Sequence, residues 1–263
     1  MSEDKANSAA QGVNSTGTES SENDNLVEPC AVSILSEGKI TECRSVPRGS
    51  YYVYLLSLQL YADIAYAIYK LRQGEAPLWD FPDGTLYLRE RAAYLVSEAL
   101  KWHLIPTTVI REGPYGIGII QRFVNTRETT DYSKLFENKT ADFRRIAVFD
   151  WLVNNADRKV GHCLEAEDGR LWFIDHGLTF HEVPKLRTVI WDFAGQPVPR
   201  ELLDDMEGLS EKLKKHDELE GSLSELLSRS EIQALKGRLA GILNNSVYPT
   251  SFGSNRRTPW PPY

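Results

Sequence analysis

The segment NNADRKVGHCLEAEDGRLWFIDHG, Asn154 to Gly177, places Asp157, His162 and Asp175 around the short apolar run Leu171, Trp172, Phe173 and Ile174. Titratable groups beside a buried strand are costly unless they bind something. LEAEDGRLWFID reads as a hairpin with its turn at Asp168–Gly169. A hairpin folded there brings Asp175 back beside His162 and near Asp157, so two carboxylates and an imidazole converge. A carboxylate to orient or deprotonate a hydroxyl, a second to hold a metal and a further metal ligand are what phosphoryl transfer from a nucleotide needs. In that chemistry the protein mainly positions groups and neutralises charge. Each residue also has a plainer reading on its own: Asp157 and Asp175 as turn residues, His162 as a hydrogen-bonded loop histidine.

The elements that position these residues are legible on both sides. TADFRRIAVFDWLVNN, Thr140 to Asn155, carries Phe143, Ile146 and Ala147 at helical spacing and reads as a mostly buried helix leading straight to Asp157. Upstream lie β-type runs: AVSIL from Ala31, KITECRSV, and the long YYVYLLSLQLYADIAYAIYKL, which splits near Ala62–Asp63 into a hairpin ending at Tyr69–Lys70. PRGS, Pro47 to Ser50, is a turn between two runs, and APLWDFPDG, Ala76 to Gly84, is a loop. TLYLRERAAYLVSEALKW reads as a helix with Leu86, Ala93, Val96 and Leu100 as its apolar stripe and Thr85 or Asp83 as N-cap. TTVI and GIGIIQRFV are strand-like; Gly116 and Gly118 read as a turn rather than a phosphate cradle, because no helix start follows them. Beyond Pro199 the chain is helical and charged, as solvated helix faces are, and it ends in the extended, Pro-rich NRRTPWPPY.

A β-rich first half carrying one helix, followed by a helix-rich half, is an α+β, two-lobed plan with a cleft between the lobes as the ligand site. The expected organisation is a disordered tail over 1–28, a β-rich lobe over 29–124, a helical lobe over 125–247 and a Pro-rich tail over 248–263. The 263 residues, 41% hydrophobic and 25% charged, suffice for a sizeable core. A net charge of −7 supplies no overall basic field for nucleic acid or acidic lipid. Cys30, Cys43 and Cys163 form no CxxC pair, which argues against a disulfide framework or zinc ribbon and for a reducing compartment. No apolar run is long enough for a membrane span, and the start lacks the marks of a signal peptide, so a cytoplasmic protein is expected. Cys163 reads as inert, Trp191 as core, and His176 and His181 as packing near the site rather than ligating.

The register of the Asn154–Gly177 segment resembles the catalytic and metal-binding loops of the phosphatidylinositol 3-/4-kinase-like branch of the protein-kinase-like fold. That pattern is D-R-H-x-x-N, an apolar strand, a D-G turn, an apolar strand and I-D-F-G. Asp157–Arg158, Asp168–Gly169, Ile174–Asp175 and Gly177 match it without a gap. The I-D-H-G version also resembles the secretory-pathway casein kinases. Residues 40–200 as a whole are similar to a bacterial family of small kinase-like proteins, through PLWDFPDGTL, NNADRK and PWPP. The resemblance implies a two-lobed kinase-like fold with a reduced helical lobe, ATP as phosphoryl donor and Mg²⁺ or Mn²⁺ as metal. It assigns Asp157 as the base or orienter of the acceptor hydroxyl and Asp175 as the principal metal ligand. His162 stands where the family has a metal-binding Asn, and imidazole suits Mn²⁺ better than hard Mg²⁺. Lys159 stands where the family has a His and would meet the transferred phosphate as a point charge.

The same resemblance implies parts elsewhere: Lys70 ending the third strand, paired with Glu90 of the next helix (Glu98 as fallback). Gly49 and Ser50 would form the nucleotide-covering turn, and Gln121 and Phe123 the hinge between lobes, around Gln121 to Val124. The two departures keep a catalytically weak nucleotide-binding pseudokinase open. A metal-dependent phosphohydrolase built on His162, Asp175, His176 and His181 is a third reading, which leaves Lys70 and Glu90 unexplained. The acceptor, a small molecule or a protein, is not specified, although the short region after Asp175 favours a small or unusual one.

Overall fold

The computed structural model describes residues 28–46, 52–127, 132–214, 218–250 and 257–262. The turn at Pro47–Ser50, with Gly49 and Ser50, and the tail over residues 1–27 lie outside the described residues. In chain order the elements are helix α1 (Glu28–Glu37), strands β1 (Lys39–Ser45), β2 (Val53–Leu60) and β3 (Asp63–Leu71), and helix α2 (Leu86–Ala99). Strands β4 (Thr108–Gly113) and β5 (Gly116–Arg122) and helices α3 (Tyr132–Asn138) and α4 (Thr140–Val153) follow. Strands β6 (Cys163–Glu165) and β7 (Leu171–Phe173) precede helices α5 (Arg200–Lys214), α6 (Glu218–Ser224) and α7 (Arg229–Asn245). The architecture is α+β and two-lobed: an antiparallel sheet in the order β1-β2-β3-β5-β4, and a helical part carrying the β6–β7 hairpin. Among the described residues no helix is long and apolar enough to cross a membrane.

The hairpin of β2 and β3 turns at Tyr61–Ala62, and its register sets Lys70 opposite Val53. Ala65, Ala67, Tyr69 and Leu71 are buried on one face of β3. Lys70, between the last two, therefore projects from the other face. One strand expectation is corrected: AVSIL lies in α1, not in a strand. Ala31, Ile34 and Leu35 are the buried positions, a spacing that suits a helix face and not a pleat, and a five-residue apolar run does not separate the two by itself. Gly118 is also corrected. It lies within β5, not in the turn, and a Cβ there would sit 2.2 Å from the Lys70 carbonyl oxygen, so only glycine allows this close approach. Gly116, at φ +121°, is the first residue of β5, paired with Gly113 across the Pro114–Tyr115 turn.

Two cores result. On the sheet side Ile34 and Leu35 pack on Leu56, Leu58, Tyr69 and Ile120. The larger core gathers Phe143, Ile146 and Phe149 of α4 with Leu235 and Leu239 of α7, and takes Ala93, Val96 and Leu100 of α2 into the same cluster. The helix that bears Glu90 is thus rooted among the C-terminal helices while it also borders β4 and β5. A second tie holds it there: Arg89, buried, donates to Glu231 of α7 at 2.5 Å and to the Thr179 carbonyl at 2.8 Å.

The start of α2 is capped from a distance. Thr85 occupies the N-cap position but makes no side-chain cap; its hydroxyl donates to the Pro82 carbonyl at 2.7 Å. The Glu75 carboxylate instead accepts from the amides of Leu86 at 3.0 Å and Tyr87 at 2.7 Å, meeting two of the orphan donors and the positive end of the helix dipole. Glu75→Ala is expected to lose about 1 kcal/mol and to lower the thermal midpoint by about 2–4 °C. A calorimetric scan checks this, and an unchanged midpoint would show that water replaces the carboxylate at no loss.

Candidate active site

Helix α4 ends at Asn154, which takes the left-handed conformation at φ 57° and ψ 50°, one that asparagine adopts more readily than other non-glycine residues. Its side-chain amide donates to the carbonyls of His181 and Val183, each at 2.8 Å, and its Oδ1 accepts from the Lys185 amide at 2.7 Å. Asn155 does the same for the next turn, donating to Asp150 Oδ1 at 2.9 Å and accepting from the Asp157 amide at 2.9 Å. The asparagine pair thereby fixes both the segment beyond Asp175 and the backbone of Asp157.

Arg158 is the keystone of this side. Fully buried, it pairs with the equally buried Asp150 through Nε–Oδ2 at 2.8 Å and Nη2–Oδ1 at 3.0 Å. Its remaining donors reach the Ile174 carbonyl at 3.0 Å, the His162 carbonyl at 3.3 Å and His176 Nε2 at 2.7 Å. Both arms of the β6–β7 hairpin are therefore tied to one guanidinium. The hairpin has the expected turn, with Gly169 at φ +82°, and Ile174 pairs back to His162 through a 3.0 Å amide bond.

A cleft of about 520 Å³, within the usual size of a small-molecule site, opens between the sheet and this hairpin; Lys70, Glu90, Asp157, His162 and Asp175 all line it. Lys70 Nζ bonds Glu90 Oε1 at 3.0 Å and closely contacts Asp175 Oδ1. Glu90 Oε2 accepts from the His176 amide at 3.0 Å, so one carboxylate locks the lysine to the segment that carries Asp175. His162 Nε2 stands 3.2 Å from Asp175 Oδ2. Asp175 is itself left-handed, at φ +63°, a conformation uncommon outside glycine and several-fold enriched in asparagine and aspartate. Its side chain is about half exposed to the cleft, at 47%.

Charge follows geometry. The Lys70 ammonium holds the Asp175 carboxyl well below the usual carboxylate range, outweighing partial burial, with His162 assisting. Burial opposes the charge on Lys70, but Asp175 and Glu90 together raise it above an ordinary lysine. Burial lowers His162 to about 4, leaving a neutral imidazole whose Nδ1 accepts from the Lys159 amide at 3.5 Å while Nε2 faces Asp175. Burial likewise raises Asp157 to about 6; the Lys159 ammonium, 3.5 Å away, pulls it down and Asp175 pushes it up.

The donor set fits a small divalent ion: an ionised, half-exposed carboxylate and a neutral imidazole, close enough to contact one cation. Among the described residues no group of three or more His, Cys, Asp or Glu could hold a metal.

Lys159 does not line the cleft; its ammonium stays on Asp157. Gln121 and Phe123 are corrected as side-chain contacts, because neither lines the cleft. Gln121 is buried with its amide on Thr108 Oγ1 at 2.8 Å, and the Phe123 amide still pairs with the sheet at Tyr66, 2.9 Å away. The chain crosses between lobes just after, where the Glu167 amide bonds the Asn125 carbonyl and the Arg127 amide the Glu165 carbonyl. Thr126 and Arg127 there, and Tyr132 and Leu135 of α3, line the cleft and carry no motif of their own. His176 and His181 do not join the site as ligands: Arg158 holds the first, and the second bonds the Val183 backbone and stacks edge-on with Phe81. Cys163 is buried, which pushes its thiol up to about 12.

No family model matches the chain. Protein Rv2133c of Mycobacterium tuberculosis is 36% identical over 269 residues, an alignment spanning 88% of this chain and 94% of that protein. The crystal structure of the Helicobacter pylori proinflammatory kinase CtkA matches with a TM-score of 0.50 at 12% identity, over 82% of this chain and 95% of that one. This likeness is one of fold, and the fold is kinase-like. The Rio2 kinase of Chaetomium thermophilum, solved as an ADP/Mg²⁺-phosphoaspartate complex, covers 76% of this chain and 70% of its own at 9% identity. Its TM-score of 0.34 adds nothing to the assignment.

Proposed function

We propose that this chain, which belongs to the family of Protein Rv2133c, is an ATP- and divalent-metal-dependent phosphotransferase working in the interlobe cleft. The observation that carries the reading is the convergence of Lys70, Glu90 and Asp175 in one hydrogen-bonded set, with Asp157 and His162 in the same cleft. Residues drawn from β3, α2, the turn after α4 and the end of the metal hairpin meet where a kinase-like fold binds nucleotide. The match of Asp157–Arg158, Asp168–Gly169 and Ile174–Asp175 to the phosphatidylinositol 3-/4-kinase-like pattern supports a relation to that branch.

In the proposed reaction Lys70 meets the ATP phosphates, and Glu90 keeps it aimed. Asp175 and His162 would hold Mg²⁺ or Mn²⁺, whose charge neutralises the phosphate oxygens. Asp157 orients the acceptor hydroxyl and takes its proton as the acceptor oxygen bonds to the γ-phosphorus and ADP departs. Lys159 tunes Asp157. The acceptor is a small molecule or a protein, and three free cysteines support a reducing, cytoplasmic setting.

The test is incubation of the purified chain with γ-labelled ATP and either Mg²⁺ or Mn²⁺. Label transfer or ATP turnover is the expected result. Nucleotide-dependent thermal stabilisation without turnover would favour the pseudokinase, and phosphate-ester hydrolysis independent of ATP would remove both. Because the base must be ionised, ATP turnover is expected to rise with pH through an acid limb centred at about 6 and then level off. Lys159→Met, which removes the charge that lowers Asp157, moves that limb to higher pH. A pH–rate profile checks both, and a limb near the ordinary carboxylate value of about 4 would remove Asp157 as the base.

A further inference from the structure

The Pro-rich segment Arg257–Pro262 does not extend freely: it is laid against the loop that carries the candidate catalytic residues. The Pro262 carbonyl accepts from the Val160 amide at 3.0 Å. Val160 opens the single 3₁₀ turn Val160–His162, where an amide has no partner within the turn. At the other end of the segment the Arg257 carbonyl accepts from the Thr188 amide at 3.0 Å and from Trp191 Nε1 at 3.2 Å. Pro259 between them is buried. Thr188 is in turn bridged in parallel to Arg158: the Arg158 amide bonds the Arg187 carbonyl at 3.0 Å, and the Val189 amide bonds the Arg158 carbonyl at 3.1 Å. The catalytic loop, residues 187–189 and the Pro-rich segment thus form three successive layers.

We infer that Arg257–Pro262 is a positioning strap, which holds the Val160–His162 turn so that the His162 imidazole faces Asp175. The inference rests on the reading of the cleft as a phosphotransfer site, and it deepens that reading by making the metal-binding geometry depend on a segment remote in sequence. The far end of the turn is already held: the Cys163 amide bonds the Val160 carbonyl, and the His162 carbonyl accepts from the Ile174 amide at 3.0 Å and from Arg158 at 3.3 Å. The strap supplies the partner for the amide at the turn's first residue, Val160, which lines the cleft with the exposed Gly161. A proline-rich strap is suited to the role, since its backbone is already restricted and loses little freedom on docking.

Two variants test the strap, one by deletion of residues 257–263 and one by Val160→Pro. The second removes a single donor. Lys159 is extended at φ −104° and ψ 165°, as a residue before proline should be, and the first position of a helical turn accepts proline. Both variants are expected to raise amide hydrogen exchange at Gly161 and His162 and to weaken Mn²⁺ binding, measured by paramagnetic titration, by about ten- to a hundredfold. In the deletion variant, which leaves the cleft lining intact, ADP affinity without metal should stay within about twofold, and in both variants ATP turnover should fall in parallel with Mn²⁺ affinity. A purely structural tail would instead lower the thermal midpoint and leave Mn²⁺ affinity per folded molecule unchanged. Unchanged exchange at 161–162 in Val160→Pro would overturn the strap outright, whether or not Mn²⁺ binds. Strap-dependent exchange and Mn²⁺ binding in a protein that turns over no ATP would uphold the strap while removing the phosphotransfer reading.

Discussion

Asp175→Asn is expected to lower ATP turnover by about 10³-fold while leaving nucleotide binding within about tenfold of wild type. Asp175 is the carboxylate shared by Lys70 and His162, one oxygen toward each. Its loss removes the proposed metal-binding carboxylate and one of the two counter-charges of the lysine together. Lys70 keeps Glu90, whose second oxygen remains anchored on the His176 amide, so the cation proposed to meet the ATP phosphates stays in place and nucleotide binding is expected to survive. Asparagine is the right replacement, because the residue sits at φ +63°. Alanine there would add about 1–2 kcal/mol of backbone strain and confuse a folding defect with a chemical one. Single-turnover transfer from γ-labelled ATP, with an independent measure of nucleotide affinity, separates the two effects. Turnover within tenfold of wild type would remove Asp175 from the reaction; equal loss of binding and turnover would mean that its task is to hold nucleotide, not to act on it.

The candidate site was largely legible because its parts are local in sequence. Asp157, the Asp168–Gly169 turn and Asp175 belong to one hairpin, and hairpin pairing converts spacing directly into proximity. The β2–β3 hairpin was legible for the same reason, through a clean alternation that breaks at Tyr61–Ala62. Lys70 and Glu90 were a different matter. Nothing in their neighbourhoods distinguishes them from exposed charges, and only the family order of parts singled them out. What stayed hidden is long-range. Glu75 caps a helix that begins well after it, and a loop carboxylate with no cap spacing gives no signal. Thr126 and Arg127 reach the cleft because the sheet pairing persists through Phe123, so the hinge falls beyond the end of the apolar run. Helix α1 was misread because five apolar residues are too few to fix a period. One signal was available and went unused: Asp150 stands in VFDWLV, within a helix otherwise buried on that face. A lone carboxylate there demands a cation, and the first arginine after the helix is Arg158.

That pair carries the second large expectation. Asp150→Asn leaves the Arg158 guanidinium without its counter-charge in a fully buried position, and stranding one member of a buried pair costs about 3–5 kcal/mol. At about 2–4 °C per kcal/mol for a chain of this size, the thermal midpoint should fall by about 6–20 °C. The double variant Asp150→Leu with Arg158→Met separates charge from scaffolding. If the pair were only a buried salt bridge, apolar replacement would restore much of the lost stability. Here it should restore a part at most, because Arg158 also serves the carbonyls of Ile174 and His162 and the ring of His176. A methionine leaves the Ile174 carbonyl and His176 Nε2 without that donor, at about 1–3 kcal/mol for each one that water does not reach, while the His162 carbonyl keeps the Ile174 amide. The double variant is therefore expected to stay well below wild type in stability and to lose turnover, since both arms of the metal hairpin are released. Full recovery of the midpoint in the double variant would make Arg158 a simple counter-ion and return the positioning of Asp175 and His162 to the hairpin alone.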